Sequence, residues 1–526
     1  MSESRIQVQQ KRYHLSKRTL RISKLFYVKK SAIEMSSLQK SQLKDLVVHI
    51  KPVRYYHLLS SQHKFDFLKF LNYKTKIKLQ NDESSIVPIH YFKRLKKFET
   101  SELPLTLYNM KSLVQVMKQC YRTMLDVSLR FTNFQSLTSS ECAQLHLIIC
   151  NQLKKLNKVE KLELVLAVFT QGILKIIGKR LGAFCQLKAL AIEFPQKPLN
   201  IESWKYVAKG IEKQQSLQDF TLKINLMRKD AEVQENYFDF ILSLQNLKTL
   251  NLILYQVMSN NFLTFRNQSV LRLPNLEKFY LRLWSIEYNH EETLELFKNL
   301  DFPELTSFGF NANRIEDLNG KSFKRFIQLI RSCQKLTKLI LSLKYSYLSL
   351  ETYNVLSEAF SPKLQYIHLS FKNQIIQSEC YVKLFQHFES LINLTALELD
   401  FSLTQMVCAA FINLVACLKS LKSLKKLLIN VSANEIKDQG ILAFADVLAS
   451  LKTLTHLEID LSGNNFTTVG LHSLVEAIKT NPQLLFLKIN IKDCRNLTIT
   501  MRHKINDQLK TCFPKLAENK TLIIIR

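Results

Sequence analysis

A strand-like segment followed by a helix-like segment recurs along this chain at an almost constant interval. In residues 424–431, apolar residues occupy the first, fourth, sixth and eighth places, which predicts a short strand with one buried face. Residues 441–451 are apolar at helical spacing, which predicts an amphipathic helix after a short turn. The same unit begins again at residues 454 and 484. A period of about thirty residues constrains the chain to stacked repeats, each burying its apolar side against its neighbours.

The repeat register is clear from residue 124 onward. Successive strand starts lie 28 to 31 residues apart, at Val159, Leu187, Leu217, Leu247, Leu276, Leu305, Leu336, Leu364, Leu394, Leu424, Leu454 and Leu484. Weaker starts precede them near residues 43, 72 and 100, and a half-repeat at 522–525 closes the chain. The pattern therefore predicts a basic N-terminal arm (1–40), divergent repeats or a cap (41–123), regular repeats (124–513) and a closing half-repeat (514–526).

Several units match a known repeat signature, L-x-x-L-x-L-x-x-N followed by x-I-x-D-x-G and a helix. Residues 305–317 match it, as do Asn434, Ile436, Asp438 and Gly440 after a longer strand. The chain therefore resembles the leucine-rich repeat proteins of the ribonuclease-inhibitor type. Most repeats depart from the signature at the position of the asparagine, where the chain has, for example, Ser346, Gln374, Thr404 and Cys494.

The resemblance implies an α/β leucine-rich-repeat solenoid, with a curved parallel sheet on the concave face and helices on the convex face. It also implies a protein-binding scaffold, although this fold serves many partners. The first hypothesis is therefore a non-enzymatic scaffold for protein–protein interaction, a subunit of a large intracellular assembly. An enzyme, or a regulator of one such as a GTPase activator, is supported only by analogy of fold.

Residues that lie between the ladder leucines are expected to point onto the concave face, because side chains alternate along a strand. The central repeats place aromatic and basic side chains there, and the later repeats place an acidic strip there. Tyr, Trp and Arg dominate binding hot spots, so these residues predict a protein-binding surface, with a second, basic partner at the acidic strip. The alternative is a solvated face with no partner. The predicted contacts are Asn251, Tyr255, Lys278, Tyr280, Arg282, Trp284, Lys338, Tyr366, His368, Glu398, Asp400, Glu458 and Asp460.

Positive charge is concentrated near the N-terminus. The chain has a formal net charge of +30, and residues 1–100 hold 22 basic and 7 acidic residues, or half of that excess. A field of this sign attracts RNA or acidic proteins. The alternatives are a solvated tail and a coding bias towards Lys, Asn, Ile and Phe. The predicted contacts in the arm are Lys11, Arg12, Lys17, Arg18, Arg21, Lys29 and Lys30.

Residues 51–78 interleave basic and aromatic side chains. Such a segment can neutralise phosphates while its rings stack on bases. The same residues, with Phe65, Leu68 and Phe70 at helical spacing, also fit the core of a helix, and this interpretation is favoured. The second functional hypothesis is therefore an RNA- or ribonucleoprotein-associated subunit that binds through its basic N-terminal region.

Sequence signals for catalysis and cofactors are weak. The chain lacks the common phosphate-binding, nucleophile-elbow and H-E-x-x-H motifs, and its nine glycines are scattered. His290, Glu291 and Glu292 lack the second histidine of a zinc site. We therefore expect no enzyme activity, no cofactor, no metal and no small-molecule substrate.

The ten cysteines occur singly and without a C-x-x-C pair, so they predict small core residues of a reducing compartment. No apolar run approaches the roughly 18 residues that span a bilayer. An intracellular location is expected, with the cytoplasm favoured over an organelle or the nucleus.

Overall fold

The structure of the 526-residue chain is a computed structural model. It describes residues 19–20, 47–50, 76–79, 97–100, 124–131, 151, 153, 156, 158–167, 169–195, 199, 201–225, 238–255, 271–284, 300–313, 320–519 and 521–525. The chain divides into two compact units, Met1–Lys197 with Lys209–Ser216 and Pro198–Ala208 with Leu217–Arg526. The division falls inside the predicted regular repeats, where the period of the sequence does not change.

The first unit is a parallel sheet whose described strands pair in the order of the chain. These strands are β1 (Thr19–Leu20), β2 (Val47–Ile50), β3 (Lys76–Leu79), β4 (Lys97–Thr100), β5 (Asp126–Phe131), β6 (Lys161–Leu166) and β7 (Ala189–Glu193). Helix α1 (Gln171–Leu181) connects β6 to β7, and Thr170 caps its N-terminus by accepting a bond from the backbone N–H of Ile173. Strand β1 lies within the predicted 1–40 arm. The expected start at residues 103–107 lies outside the described residues.

The second unit is a longer parallel sheet, again paired in the order of the chain. Its strands are β8 (Asp219–Asn225), β9 (Thr249–Tyr255), β11 (Lys278–Trp284), β13 (Ser307–Ala312), β14 (Lys338–Ser342), β15 (Tyr366–Ser370), β16 (Ala396–Asp400), β17 (Lys426–Asn430), β18 (His456–Asp460), β19 (Phe486–Asn490) and β20 (Leu522–Ile525). A separate pair joins β10 (Leu271–Arg272) to β12 (Leu300–Asp301). The closing half-repeat predicted at 522–525 is thus a strand, β20, paired with β19.

Helices lie between the strands, as the sequence predicts. They are α2 (Ile201–Glu212), α3 (Gly320–Ser332), α4 (Leu350–Ser357), α5 (Ser378–Phe385), α6 (Cys408–Leu418), α7 (Asp438–Ser450), α8 (Thr468–Lys479), α9 (Ile499–Cys512) and α10 (Pro514–Glu518), with short 3₁₀ turns at Asp239–Ser243 and Phe388–Ser390. Parallel strands need a crossover between them, and one helix per crossover gives one strand and one helix per repeat. The fold is therefore an α/β leucine-rich-repeat solenoid.

The core is a ladder of apolar residues that keeps the repeats in register. Leu427 of β17 pairs with Leu397 on one side and Leu457 on the other, and all three are buried. From β6 to β19, apart from the short strands β10 and β12, each strand begins two residues after its predicted start, and β20 begins at its predicted start. The starting leucine, such as Leu424, is itself buried in the turn before the strand.

A second, polar ladder lies in the loops four residues after the last residue of each strand. It comprises Ser346, Gln374, Thr404, Asn434, Asn464 and Cys494, all of which are buried. The side-chain oxygen of Asn434 accepts bonds from the backbone N–H groups of Thr404 (3.1 Å) and Met406 (2.9 Å). Its amide donates to the carbonyls of Phe401 (2.8 Å) and Val431 (3.0 Å). One side chain thus satisfies backbone groups of two adjacent repeats, which buried polar groups require.

The start of one helix is also tied to the start of the next. The Asp438 carboxylate, in the first turn of α7, accepts bonds from the backbone N–H groups of Thr467 (2.8 Å) and Gly470 (3.0 Å) and from the Thr467 hydroxyl (2.7 Å). A Cβ on residue 470 would lie 2.7 Å from Asp438 Oδ1, so the approach requires glycine. Asp438, a residue of the repeat signature, and Gly470 of the next repeat therefore join neighbouring repeats.

The described cysteines are free thiols. Cys333, Cys380 and Cys494 are buried, whereas Cys185 and Cys512 are exposed. Burial raises the pKa of the Cys333 thiol to about 11, which keeps it protonated and unreactive at neutral pH.

We expect Leu427→Ala to lower the free energy of unfolding by about 2–5 kcal/mol, because it empties a fully enclosed site in the ladder. Urea denaturation followed by circular dichroism measures the change. The matched control is Leu442→Ala on helix α7, where the leucine is 38% exposed. Equal losses in the two variants would contradict the ladder as the source of stability.

We expect Asn434→Ala to lower the free energy of unfolding by about 2–4 kcal/mol, since it leaves backbone groups of two repeats without partners. Hydrogen exchange of the Thr404 and Met406 amides reports the loss directly. Asn496→Ala, which removes an exposed side chain with one bond to the Asn465 carbonyl (2.9 Å), serves as the control. Unchanged exchange in Asn434→Ala would show that water replaces the side chain without cost.

Candidate interaction surface

The predicted contact residues of the second unit lie on one face of its sheet, here called the strand face. On β16, Leu397 and Leu399 are buried in the core, while Ala396, Glu398 and Asp400 are partly exposed on the opposite face. The same alternation holds on β17, β18 and β19, and on β15 as far as Leu369, since Ser370 is buried. The prediction of side-chain direction from the strand period therefore matches the burial seen in the structure.

Strand pairing sorts these residues into rows that cross the strand face. The first row contains Lys278, Lys338, Tyr366, Lys426 and His456; the middle row contains Asn251, Tyr280, His368, Glu398 and Glu458; and the next row contains Arg282, Asp400, Asn430, Asp460 and Asn490. Tyr255 and Trp284 form a short outer row on β9 and β11. The predicted residues thus lie on one continuous sheet.

An aromatic cluster occupies β9 and β11. The rings of Tyr255 and Trp284 are 6.4 Å apart between centroids, and Trp284 is 41% exposed. The Tyr280 hydroxyl lies 2.8 Å from the Ser307 hydroxyl on β13. A Cβ on residue 309 would lie 2.5 Å from Tyr280 Cδ1, so Gly309 leaves the space in which the ring rests against the sheet. Tyr280 is therefore held in one orientation before any partner arrives.

Glu398 is the centre of a charged cluster on β14 to β17. It lies 3.2 Å from His368 Nδ1 and 2.6 Å from Lys426 Nζ, and its side chain is 17% exposed. Hydrogen bonding to His368, opposed by burial and reinforced by Lys426 and Tyr366, lowers the pKa of Glu398 from its ordinary 4.5 to about 2. On its other side, Tyr366 carries Lys338 Nζ above its ring, 4.5 Å from the centroid.

The predicted acidic strip is interrupted by an apolar residue, and its carboxylates are bonded to other side chains of the protein. Leu428 separates Glu398 from Glu458 in the middle row, and Lys488 donates a bond to Glu458. Asp400 accepts bonds from the Ser370 hydroxyl (3.0 Å) and the Ser402 hydroxyl (2.7 Å). These carboxylates already have partners within the protein, so a basic ligand would compete with them.

Sequence reasoning missed three residues that shape this surface. Lys426 and Lys488 neutralise the acidic positions, and Gly309 positions the Tyr280 ring. The two lysines could have been found by aligning each strand position with the same position on the neighbouring strands, rather than by reading each strand alone. The repeat pattern of the sequence contains no signal for the contact between Gly309 and Tyr280.

Other predicted sites lie outside the described residues. These are Lys11, Arg12, Lys17, Arg18, Arg21, Lys29 and Lys30 in the arm, residues 51–75 of the aromatic–basic segment, and His290. Among the residues that the structure describes, no three His, Cys, Asp or Glu side chains are grouped so as to hold a metal ion. None of the described helices combines the length and the apolar character that crossing a membrane requires.

Comparisons with known proteins found matches only among solved structures. No family model matches the chain, and no curated protein matches it. Solved structures do match, and one of them is a crystal structure of a complex of TLR13 with ssRNA13. That alignment covers 86% of this chain and 66% of that chain, with 16% identity and a TM-score of 0.35. This chain thus spans just under two thirds of the other protein's length, and the similarity is too low to transfer a function.

The charged cluster predicts a pH dependence. Because the folded-state pKa of Glu398 is depressed, its contribution to stability is full above about pH 4.5 and is lost as the pH falls towards 2. We expect Glu398→Gln to cost about 1–3 kcal/mol at pH 6 and the difference from wild type to shrink below pH 4.5. Urea denaturation at a series of pH values measures the free energy of unfolding of the two proteins, and hence both the cost at pH 6 and its decrease below pH 4.5.

The control for this prediction is Glu435→Gln, which changes an exposed carboxylate of the next repeat. We expect it to alter the free energy of unfolding by less than about 0.5 kcal/mol. A Glu398→Gln penalty that persists undiminished at pH 2 would mean that the lost packing, rather than the charge, causes it.

Proposed function

We propose that this protein is a non-enzymatic scaffold for protein–protein interaction, a subunit of a larger intracellular assembly, and that its partner binds the strand face of the second unit. The repeats are proposed to be of the ribonuclease-inhibitor type. Their length of 28 to 31 residues, the helix in most repeats and the residues Asn434, Asp438 and Gly440 support that subtype.

The exposure of Trp284 is the single observation that supports this proposal most strongly. An indole that is 41% exposed on a parallel sheet presents a large apolar area to solvent. Its neighbour Tyr255 lies beside it with the ring centroids 6.4 Å apart and the planes tilted by 39°, so the two rings form one contact area. Buried Trp and Tyr account for much of the energy in protein interfaces, and a rigid sheet lowers the entropy cost of binding.

The charges around the rings favour a partner with acidic groups. Lys278 and Arg282 are exposed on the same strand as Trp284, and among the described residues neither forms an ion pair. Glu398 and Glu458, by contrast, are compensated within the protein. We therefore place the main contact on the aromatic and basic part of the strand face, and a basic partner at the acidic positions remains secondary.

An intracellular, reducing location is part of the proposal. The described cysteines are free, and three of them are buried among apolar side chains. In an oxidising compartment a chain with ten cysteines would ordinarily form disulfides.

We expect Trp284→Ala to weaken partner binding about 30-fold or more, which corresponds to about 2 kcal/mol for a hot-spot residue. Crosslinking and mass spectrometry of the native complex first identify the partner, and calorimetry then measures the affinity. Phe486→Ala is the matched control, because Phe486 lies on the strand face near the other end of the sheet. If Trp284→Ala binds as wild type does, the proposed surface is wrong.

Gly309 allows a finer test of the same surface. Gly309→Ala adds a Cβ that the Tyr280 ring must avoid, and it removes no contact with the partner. We expect Gly309→Ala to weaken binding about tenfold in the wild-type background and to have little further effect in Tyr280→Ala. Additive losses would show that Gly309 acts independently of Tyr280.

The RNA-associated alternative rests on charge, since half of the net +30 lies in residues 1–100. Experiments on the same native complex distinguish this alternative from the protein-binding scaffold. RNA binding requires that nuclease release the partner, that affinity fall steeply with salt, and that changing Lys11, Arg12, Lys17 and Arg18 to Gln weaken binding. Insensitivity to all three treatments rules this alternative out.

A further inference from the structure

Three adjacent loops of the second unit expose bulky apolar side chains at one edge of the sheet. They follow β14, β15 and β16, and they present Tyr345 (41% exposed), Tyr347 (63%), Ile375 (64%) and Leu403 (47%), here called the apolar rim. In the next two repeats, the places of these residues are taken by Ala433, Glu435, Gly463 and Asn465. The apolar character is therefore confined to three repeats.

The loops that carry the apolar rim are held rigidly. Their backbones continue the parallel ladder, with Tyr345 N–H donating to the Lys372 carbonyl and Leu403 N–H to the Ser432 carbonyl, both at 2.9 Å. Buried tyrosines support them from inside, because the Tyr353 hydroxyl donates to Gln374 and the Tyr381 hydroxyl to Thr404, both at 2.8 Å. The exposed side chains thus stand on a fixed base.

Two of the rim residues occupy a strained backbone conformation. Tyr345 and Leu403 have φ of 57° and 59°, in the left-handed region that disfavours bulky side chains. The loops after β15, β17, β18 and β19 adopt the same conformation at Asn373 (58°), Ala433 (53°), Gly463 (68°) and Asp493 (55°), where Asn, Gly and Asp tolerate it better than a bulky residue does. An exposed side chain gains little packing energy to offset this strain. Strain of this kind at an exposed residue is typical of binding sites.

Two lysines flank the apolar rim without a carboxylate partner. Lys344 and Lys372 occupy the same position in adjacent repeats, so their backbones lie about 5 Å apart. Neither forms an ion pair with any residue that the structure describes. Asp400, on the neighbouring strand, is already bonded by Ser370 and Ser402. Two adjacent like charges of this kind favour an incoming anionic group.

We propose that the apolar rim and Lys344 and Lys372 bind an acidic protein segment that carries bulky apolar side chains. A second copy of this chain is a poor occupant, because its own net charge is +30. RNA is disfavoured because two of the four rim side chains, Ile375 and Leu403, are aliphatic, so that only Tyr345 and Tyr347 offer rings for base stacking. At about 4.8 Å per strand, the three repeats match an extended segment of about three to four residues.

This surface is separate from the strand face, so the two proposals fail independently. The rim residues belong to loops, and Tyr280, Trp284 and Gly309 belong to β11 and β13. Variants of the apolar rim therefore leave the Trp284 contact in place.

The test is a selection of random peptides displayed on phage against the full-length protein, followed by fluorescence polarisation with the enriched peptides. We expect enriched peptides to combine Asp or Glu with Leu, Phe or Trp. The double variant Tyr345→Asn/Leu403→Asn should weaken their binding about tenfold or more. Because asparagine tolerates the left-handed region, as Asn373 does in the neighbouring repeat, this variant should unfold at an equal or higher temperature than wild type.

The matched control for the loop position is Ala433→Asn, which changes the equivalent residue (φ 53°) of the next repeat and should leave binding unchanged. For the charges, Lys344→Gln/Lys372→Gln should weaken binding about tenfold and flatten its salt dependence. Lys492→Gln, at the same position after β19, should do neither.

Four results overturn the proposal. The first is enriched peptides that are not acidic, and the second is binding that is indifferent to Tyr345→Asn/Leu403→Asn. The third is that a single-stranded RNA oligonucleotide, or vesicles containing phosphatidylserine, binds the apolar rim where the peptides do not. A rim variant that loses binding only because it melts at a lower temperature also contradicts it, since the substitutions relieve strain.

Discussion

Register between neighbouring repeats is the constraint on which the rest of this structure depends. Apart from the short strands β10 and β12, which pair with each other, each described strand pairs with the preceding and the following strand of its sheet. A shift of one residue would turn every side chain to the other face of the sheet. Buried ladder residues such as Leu427 prevent that shift, because only one alignment places the leucines of three strands in the core. The strand face is therefore a consequence of how the opposite face packs.

Much of the fold follows from the sequence, and the reasons are local. The leucine spacing identified the strands from β6 onward in the main sheet, and it also predicted the direction of the side chains, because strand geometry has a fixed period of two. The polar ladder was recognisable even where Ser346, Gln374, Thr404 and Cys494 replace asparagine, since each stands at the same distance from its strand. Strand β4 was less well placed, as its residues (97–100) precede the start expected near residue 100. The apolar pattern of that repeat is short, so it fits both the observed strand at residues 97–100 and the start expected near residue 100.

The surface was harder to predict than the core. A single strand shows that Glu398 faces outward, but the pairing with His368 and Lys426 depends on two other strands. The expectation of an acidic strip followed from reading strands separately, and cross-strand neighbours change its charge. The positions of Tyr345 and Leu403 in the left-handed region also escape sequence reasoning, because bulky residues there run against intrinsic preference. Such departures from local preference are where function is most often found.

The bonds of Asp438 give the array a direction. This carboxylate belongs to one repeat and caps the first turn of the helix in the following repeat, through Thr467 and Gly470. A fragment that ends before residue 454 keeps Asp438, but it loses the groups that Asp438 serves and also Asn464, which bonds the Val431 carbonyl and the Ile436 amide. A fragment that begins at residue 454 retains helix α8 but lacks the acceptor for two of its amide groups. Shortening the chain from its N-terminal end at this point therefore removes an acceptor from the start of a helix that keeps its own Thr467 cap, whereas shortening it from the C-terminal end removes a side chain of the polar ladder.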